Sequence, residues 1–240
     1  MYLAKQINMF RFKQFTIEQE HCAMKVGTDG TLLGAWADIS HSERILDIGC
    51  GSGLIAIMAA QRSNADVIGI EIDCDAAHQA QENVMQCAWS DRIEIINCDI
   101  QKYHSDRLFD AIVSNPPFFK NSLKCPDNSR TTARHDDTLP CPTLMQCAKN
   151  LLADGGTLSV VIPSEMLGSW CDEALFKGLS ARRITHVRTL PHKPSKRVLI
   201  EFVKGAHAKP VITEFILENT PGNYSQEAKE LLRDFYIKIE

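Results

Sequence analysis

No stretch of this sequence approaches the roughly 20 consecutive apolar residues that a membrane-spanning helix needs. The richest runs, LLGAWA (32–37) and GLIAIMAA (53–60), are far shorter, so no membrane association is expected. The opening MYLAKQINMFRFKQF lacks a continuous apolar segment and a small-residue cleavage site, so no secretory signal is read and the expected location is the cytoplasm. Low-complexity tracts and internal repeats are also missing. With a hydrophobic fraction of 44% and a charged fraction of 23%, the composition excludes a disordered class.

Metal and disulfide frameworks are absent too. The nine cysteines (Cys22, Cys50, Cys74, Cys87, Cys98, Cys125, Cys141, Cys147 and Cys171) contain no C-x-x-C pair, and the eight histidines form no H-E-x-x-H motif. An odd number of thiols in a chain long enough to build its own core points to reduced, mostly buried small hydrophobes and to no metal. Net positive charge is lacking: the formal value is −4, which disfavours a polyanion captured by long-range attraction alone. The distribution is uneven, however. From Arg182 to Lys204 the chain carries Arg182, Arg183, Arg188, Lys193, Lys196, Arg197 and Lys204 against Glu201 alone, and a smaller excess lies at Lys120, Lys124, Arg130 and Arg134.

What is present is an alternation of short β-branched runs with helical patterns. RILDI (44–48), VIGIEI (67–72), RIEIIN (92–97), FDAIVS (109–114) and TLSVVI (157–162) read as strands. GLIAIMAAQR (53–62), DAAHQAQENVMQCA (75–88) and TLMQCAKNLL (143–152) read as helices, the last ending at Gly155 and Gly156. That order implies an α/β three-layer sandwich around a mostly parallel sheet. Only PHKPSK separates ITHVRTL (184–190) from RVLIEFVK (197–204), too little for a crossover helix, so these two are expected to be antiparallel neighbours. VITEFILE (211–218) is a further strand, SQEAKELLRDFY (225–236) a terminal helix capped by Ser225, and TDGTLLGAWA (28–37) a helix over the mouth of the sheet. One domain spanning 1–240 is expected, with 1–40 as an extension.

DIGCGSG (47–53) follows the first core strand, and Gly49, Gly51 and Gly53 let the backbone turn tightly with a ligand against it. A dinucleotide fingerprint would need glycine at Leu54, and no P-loop lysine follows, so neither a nicotinamide cofactor nor ATP is favoured. The second strand ends at Glu71, about 20 residues on, where an acid can accept from both hydroxyls of an adenosine ribose. The third leads to Asp99, which could accept an exocyclic amine while Ile100 packs on the ring. Asp47 could order the glycine loop or face a cationic part of the ligand. Taken singly, each acid could equally be a surface or capping group. Together these residues resemble the class I methyltransferases that use S-adenosylmethionine. The resemblance implies a seven-stranded sheet of order 3-2-1-4-5-7-6, with strand 7 antiparallel.

Strand four runs into NPPFF. Pro116 and Pro117 force the exit to be extended and donate no hydrogen bond, while their carbonyls still accept. An amine conjugated to a ring is a poor nucleophile, and two acceptors, the Asn115 side-chain oxygen and the Pro116 carbonyl, can draw its hydrogens toward a tetrahedral arrangement and free the lone pair. Phe118 offers a flat face for a planar base, and Phe119 can line or close the pocket. In isolation the same residues could be a proline turn before core aromatics. NPPF resembles the catalytic motif of amino methyltransferases that act on adenine N6, guanine N2 or a glutamine amide.

The blocks at 10–37, NPPFF, ARHDDTLP (133–140), KPSKRVLIEF (193–202), Tyr224-Ser225 and LLRDFY (231–236) are similar to the family of bacterial tRNA(Val) adenine-37 N6-methyltransferases over nearly the whole chain. The resemblance implies tRNA, in particular tRNA(Val), as partner; the oligomeric state is not fixed by the sequence, with a monomer favoured. It implies that Lys25, Thr28 and Asp29 flank the cofactor and that Arg134 and His135 lie on a loop near the substrate. Arg188, Lys193, Lys196 and Arg197 then become candidate phosphate contacts. A ribosomal RNA guanine-N2 methyltransferase and a release-factor glutamine methyltransferase are the alternatives, the latter commonly having tyrosine where this chain has Phe118.

Overall fold

The computed structural model describes residues 9–117, 139–205 and 209–239. The described chain opens with an antiparallel hairpin, β1 (Met9–Arg11) and β2 (Thr16–Glu18), and a helix, α1 (Thr28–Trp36). An alternating series follows: β3 (Arg44–Ile48), α2 (Leu54–Arg62), β4 (Asp66–Glu71), α3 (Cys74–Met85), β5 (Ile93–Asn97) and β6 (Phe109–Ser114). Next come α4 (Cys141–Leu151), β7 (Leu152–Pro163), α5 (Leu167–Phe176), β8 (Leu179–Arg188) and β9 (Arg197–Lys204). The chain closes with β10 (Val211–Ile216), the hairpin β11 (Glu218–Thr220) and β12 (Asn223–Tyr224), and α6 (Gln226–Leu232).

The sheet order is β5-β4-β3-β6-β7-β9-β8-β10. Strand β9 runs antiparallel to both β7 and β8, as the short connection before it requires. The expectation of seven strands is corrected to eight: β10 adds in parallel to β8, in register from Val211↔Arg183 to Ile216↔Arg188. This strand satisfies the outer hydrogen-bonding edge of β8 and buries Phe215, while its other side chains are mostly exposed, which is why its hydrophobic pattern is faint. Two further readings shift. Helix α4 starts at Cys141 because Pro142 is tolerated in a first turn, and Gly155 (φ +79°) belongs to an irregular stretch of β7 rather than to a helix cap. Helix α5, unassigned from sequence, buries only Trp170 and Ala174, one helical turn apart.

Each face of the sheet carries its own apolar layer. Helices α1, α2, α3 and α6 cover one with Leu32, Leu33, Ile57, Met58, Ala80 and Leu232; α4 and α5 cover the other with Leu144, Met145, Leu151 and Trp170. The cysteines are free among the described residues, and burial pushes the Cys22 thiol up to about 11. No described helix is long and apolar enough to cross a membrane.

One buried amide ties the N-terminal hairpin to the sheet. Asn83 in α3 accepts from the Glu18 N–H (2.8 Å) and donates to the carbonyls of Glu18 (2.8 Å) and Ser52 (2.9 Å). Replacing it by alanine strands buried backbone groups on both partners. Asn83→Ala is therefore expected to cost about 2–3 kcal/mol, a fall of roughly 5–10 °C in Tm by calorimetry. An unchanged Tm would show that water replaces the amide without loss.

Candidate active site

The parallel strands β3, β4, β5 and β6 all end at one edge. There the loop after β3 carries φ values of +72° at Gly49, +55° at Gly51 and +79° at Gly53, a region that L side chains rarely adopt. A β-carbon at Gly49 or Gly51 would meet nothing within 4 Å, so the space over the loop is open. The loop's amides point inward: Gly49 and Cys50 donate to the Ile70 carbonyl (2.8 and 3.0 Å), Gly53 to Cys50 (2.8 Å) and Gly51 to Glu71 Oε2 (2.8 Å). A phosphate cradle needs such amides turned outward, so this loop is built for a different ligand surface.

Two carboxylates stand behind the loop. Glu71 uses its second oxygen to accept from the Asp73 N–H (3.0 Å), which fixes the plane of its carboxylate at the end of β4. Asp47 is fully buried: Oδ2 accepts from the Ala56 N–H (3.0 Å) near the start of α2, and Oδ1 has no partner. Burial pushes the Asp47 carboxyl up to about 7; the Ala56 hydrogen bond opposes that rise and the Glu71 charge adds to it. At the end of β5, Asp99 caps a short 3-10 turn through the Gln101 N–H (2.9 Å), and Ile100 is buried within the apolar layer under α4.

Asn115 leaves β6 at the same edge. One residue earlier the Ser114 hydroxyl donates to the Ile48 carbonyl (2.8 Å), pinning the exit of β6 to that of β3. The Asn115 amide nitrogen faces Met24 Sδ at 3.8 Å, and its oxygen has no hydrogen-bond donor among the described residues. Helix α1 approaches closely: a β-carbon on Gly30 would lie 3.6 Å from Asn115 Nδ2 and 3.5 Å from Leu54 Cδ2. Pro116 is buried and Pro117 half-buried. Phe118, Phe119, Arg134 and His135 lie outside the described residues.

Several other candidates are occupied by structural links. The Lys25 ammonium donates to the carbonyls of Gln19 and Glu20, closing the turn that leads into α1, and Thr28 is exposed at that helix's start. Asp29 accepts from Arg197 Nε (2.7 Å), joining α1 to the start of β9. Arg188 pairs with Glu214 (2.7 Å) on β10. Arg182 and Arg183 share the buried Glu201, and Arg183 also lies over the Trp36 ring at 3.7 Å. Lys193 and Lys196 are exposed on the loop between β8 and β9, without side-chain partners among the described residues. The sequence reading missed Asn83, Ser114 and Met24, whose importance lies in contacts distant along the chain.

An open α/β sheet with a glycine loop, an acid at the end of the next strand and an acceptor-bearing exit from β6 has the architecture of a Rossmann-like methyltransferase. The methyltransferase small domain family model matches residues 22–180, and the chain belongs to that family. It is 46% identical over 232 residues to a tRNA1(Val) (adenine(37)-N6)-methyltransferase of Parabacteroides distasonis, covering 96% of this chain and 98% of the relative. A protein of the same name from Trichodesmium erythraeum is 47% identical, with the same coverage of both chains. Among solved structures, a protein of Agrobacterium tumefaciens described as a predicted O-methyltransferase superposes with a TM-score of 0.66 at 21% identity, covering 86% of this chain and 96% of that one; it shares the fold.

The orphaned carboxyl of Asp47 has a consequence for pH. The folded state binds its proton more tightly than the unfolded chain, whose aspartates titrate near 3.9. The stability contribution is full below about pH 4 and is lost as pH rises through about 7. Asp47→Asn removes that loss. Without ligand, its unfolding free energy relative to the parent, read by denaturant titration, is expected to rise between about pH 5 and pH 8 by on the order of 2–4 kcal/mol. A flat difference across that range would mean that Asp47 is already ionised at the lower pH.

Proposed function

We propose that this chain transfers the methyl group of S-adenosylmethionine to N6 of adenosine 37 in the anticodon loop of tRNA(Val), working in the cytoplasm as a monomer. The observation that carries this reading is Asn115, directly after β6, with a side-chain oxygen that has no donor among the described residues. The name borne by relatives at 46% identity over 96% of the chain supports the choice of acceptor.

The residues present fit the cofactor. Asp47 Oδ1 is a buried acceptor without a partner, suited to a cationic group, and the open side of Gly49 and Gly51 admits a ligand against the backbone. Glu71, already oriented by two amides, is assigned to the ribose hydroxyls, and Asp99 to the adenine amine. When bound, S-adenosylmethionine supplies an electrophilic methyl group on a positively charged sulfur.

The acceptor half is assigned to the NPPF segment. The Asn115 oxygen and the Pro116 carbonyl accept the two hydrogens of the adenine amine, bend the nitrogen out of conjugation and aim its lone pair. They also stabilise the positive charge that develops on that nitrogen, so no strong base is needed before attack. The motif assigns stacking of the base to Phe118. Residues 1–240 act as one catalytic domain, with 1–40 flanking the cofactor. The Asn83 clamp between Glu18 and Ser52 supports that role for the N-terminal segment.

Purified protein incubated with labelled cofactor and separate pools of unmodified tRNA, ribosomal RNA and release factors is expected to label tRNA at N6-methyladenosine. Label confined to guanine or to a glutamine amide would overturn the assignment. Asn115→Ala is expected to retain cofactor binding by titration calorimetry while kcat falls about 10²–10³-fold. Turnover at the parent rate would refute the acceptor role of its side chain.

A further inference from the structure

We propose that a second, aromatic-walled cavity at the start of α1 receives a nucleotide of the RNA flanking the methylated adenosine; the inference rests on the tRNA reading above. The cavity has a volume of about 560 Å³ and is open to solvent. Phe10, Tyr224 and Tyr236 form its aromatic wall, Gly27 and Thr28 line it from α1, and Arg11 and Lys238 supply positive charge.

The wall is fixed by its own packing. Phe10 lies 6.1 Å from Tyr236, Tyr224 also lies 6.1 Å from Tyr236, and Phe12 stacks on Phe15 behind them at 4.6 Å. The Tyr236 hydroxyl is held by Thr31, whose own hydroxyl donates to the Gly27 carbonyl (3.1 Å). Lys13 ties the β1–β2 hairpin to the C-terminal segment through the carbonyls of Phe235 and Arg233. Three segments distant in sequence thus converge to present ring surface that the apolar core does not consume.

Location and charge select the occupant. Gly27 precedes Gly30 by three residues, less than one helical turn, and Gly30 is the position that packs against Asn115. A nucleotide in this cavity therefore lies within about one turn along α1 of the residue that packs against Asn115. Extruding a target base from a loop leaves its neighbours without a stacking partner, and an aromatic wall replaces that partner whatever the base. Arg11 and Lys238 are exposed and have no ion-pair partner among the described residues, in contrast to the arginines of β8 and β9, so their charge is free to meet a phosphate. Glu218, the carboxylate that raises the Tyr224 pKa after burial, is turned to the Gly222 N–H (3.1 Å) and does not line the cavity.

The test is steady-state methylation of unmodified tRNA(Val) by the full chain, comparing the parent with Arg11→Glu/Lys238→Glu, Tyr224→Leu and Tyr224→Phe. The charge-reversed double variant and Tyr224→Leu are expected to raise KM for tRNA about tenfold or more. Their kcat and their Kd for S-adenosylmethionine should stay within about twofold, and Tyr224→Phe, which keeps the ring, should restore KM. Replacing the two cations should also make the plot of log affinity against log salt shallower by about 1 for each cation. If the parent methylates the tRNA adenosine and KM is unmoved in both variants, the cavity assignment is overturned and the reading of the active site stands. If the parent methylates no adenosine in tRNA, both fall together.

Discussion

Glu71 accepts the Gly51 amide at one oxygen and the Asp73 amide at the other, and the order of the ligand edge descends from that pair of bonds. A loop with three residues at positive φ has large conformational freedom in the unfolded chain, and the Gly51 bond to Glu71, with those of Gly49 and Cys50 to the Ile70 carbonyl, holds it in one shape. The same carboxylate fixes the turn from β4 into α3, whose own cap, Asp73, accepts from Ala76 (2.8 Å). From α3 the constraint passes through Asn83 back to Ser52 in the loop and on to Glu18 in the hairpin. The cofactor half of the site is thus closed on itself by three side chains, each bonded to backbone rather than to another side chain.

That closure leaves an electrostatic tension. Asp47 and Glu71 are both buried, and the Glu71 charge disfavours ionisation of Asp47. No cation is among the groups that act on the Asp47 carboxyl, and Lys25 and Arg197 are directed elsewhere, at the Gln19 carbonyl and at Asp29. A ligand that brings positive charge to Asp47 Oδ1 would offset the desolvation of that carboxyl and favour its ionised form.

Much of this was legible in the sequence because the signals are local. β-branched runs, the glycines at alternate positions, Glu71 some 20 residues later and Asn-Pro-Pro after the fourth core strand each occupy a short window. The antiparallel turn into β9 was legible from a connection too short for a helix. Helix α5 was not, since two buried residues make no amphipathic stripe, and β10 did not register in the sheet because an edge strand with one deeply buried side chain carries little alternation. In the site, the chemistry of single residues was readable but their contacts were not. Asp29 and Arg197, assigned to separate ligands by resemblance, meet each other across 168 residues of sequence.

The arginines show how an acidic protein can still meet a polyanion. Arg182, Arg183, Arg188 and Arg197 are each bound to a carboxylate, and Lys204 reaches the Leu152 carbonyl (2.7 Å), so the basic run contributes more to holding β8, β9, β10 and α1 together than to a positive surface. Among the described residues, Lys193 and Lys196 before β9 and Arg11 and Lys238 beside the aromatic cavity are exposed and without ion-pair partners. Where arginines are held by carboxylates, they release fewer counterions to an approaching polyanion than free cations would. On the proposal made above, ring surface offered to unstacked bases adds to that affinity. A fold with this charge distribution is therefore suited to a loop whose bases are accessible and poorly suited to a continuous duplex, whose stacked bases give an aromatic wall nothing to hold.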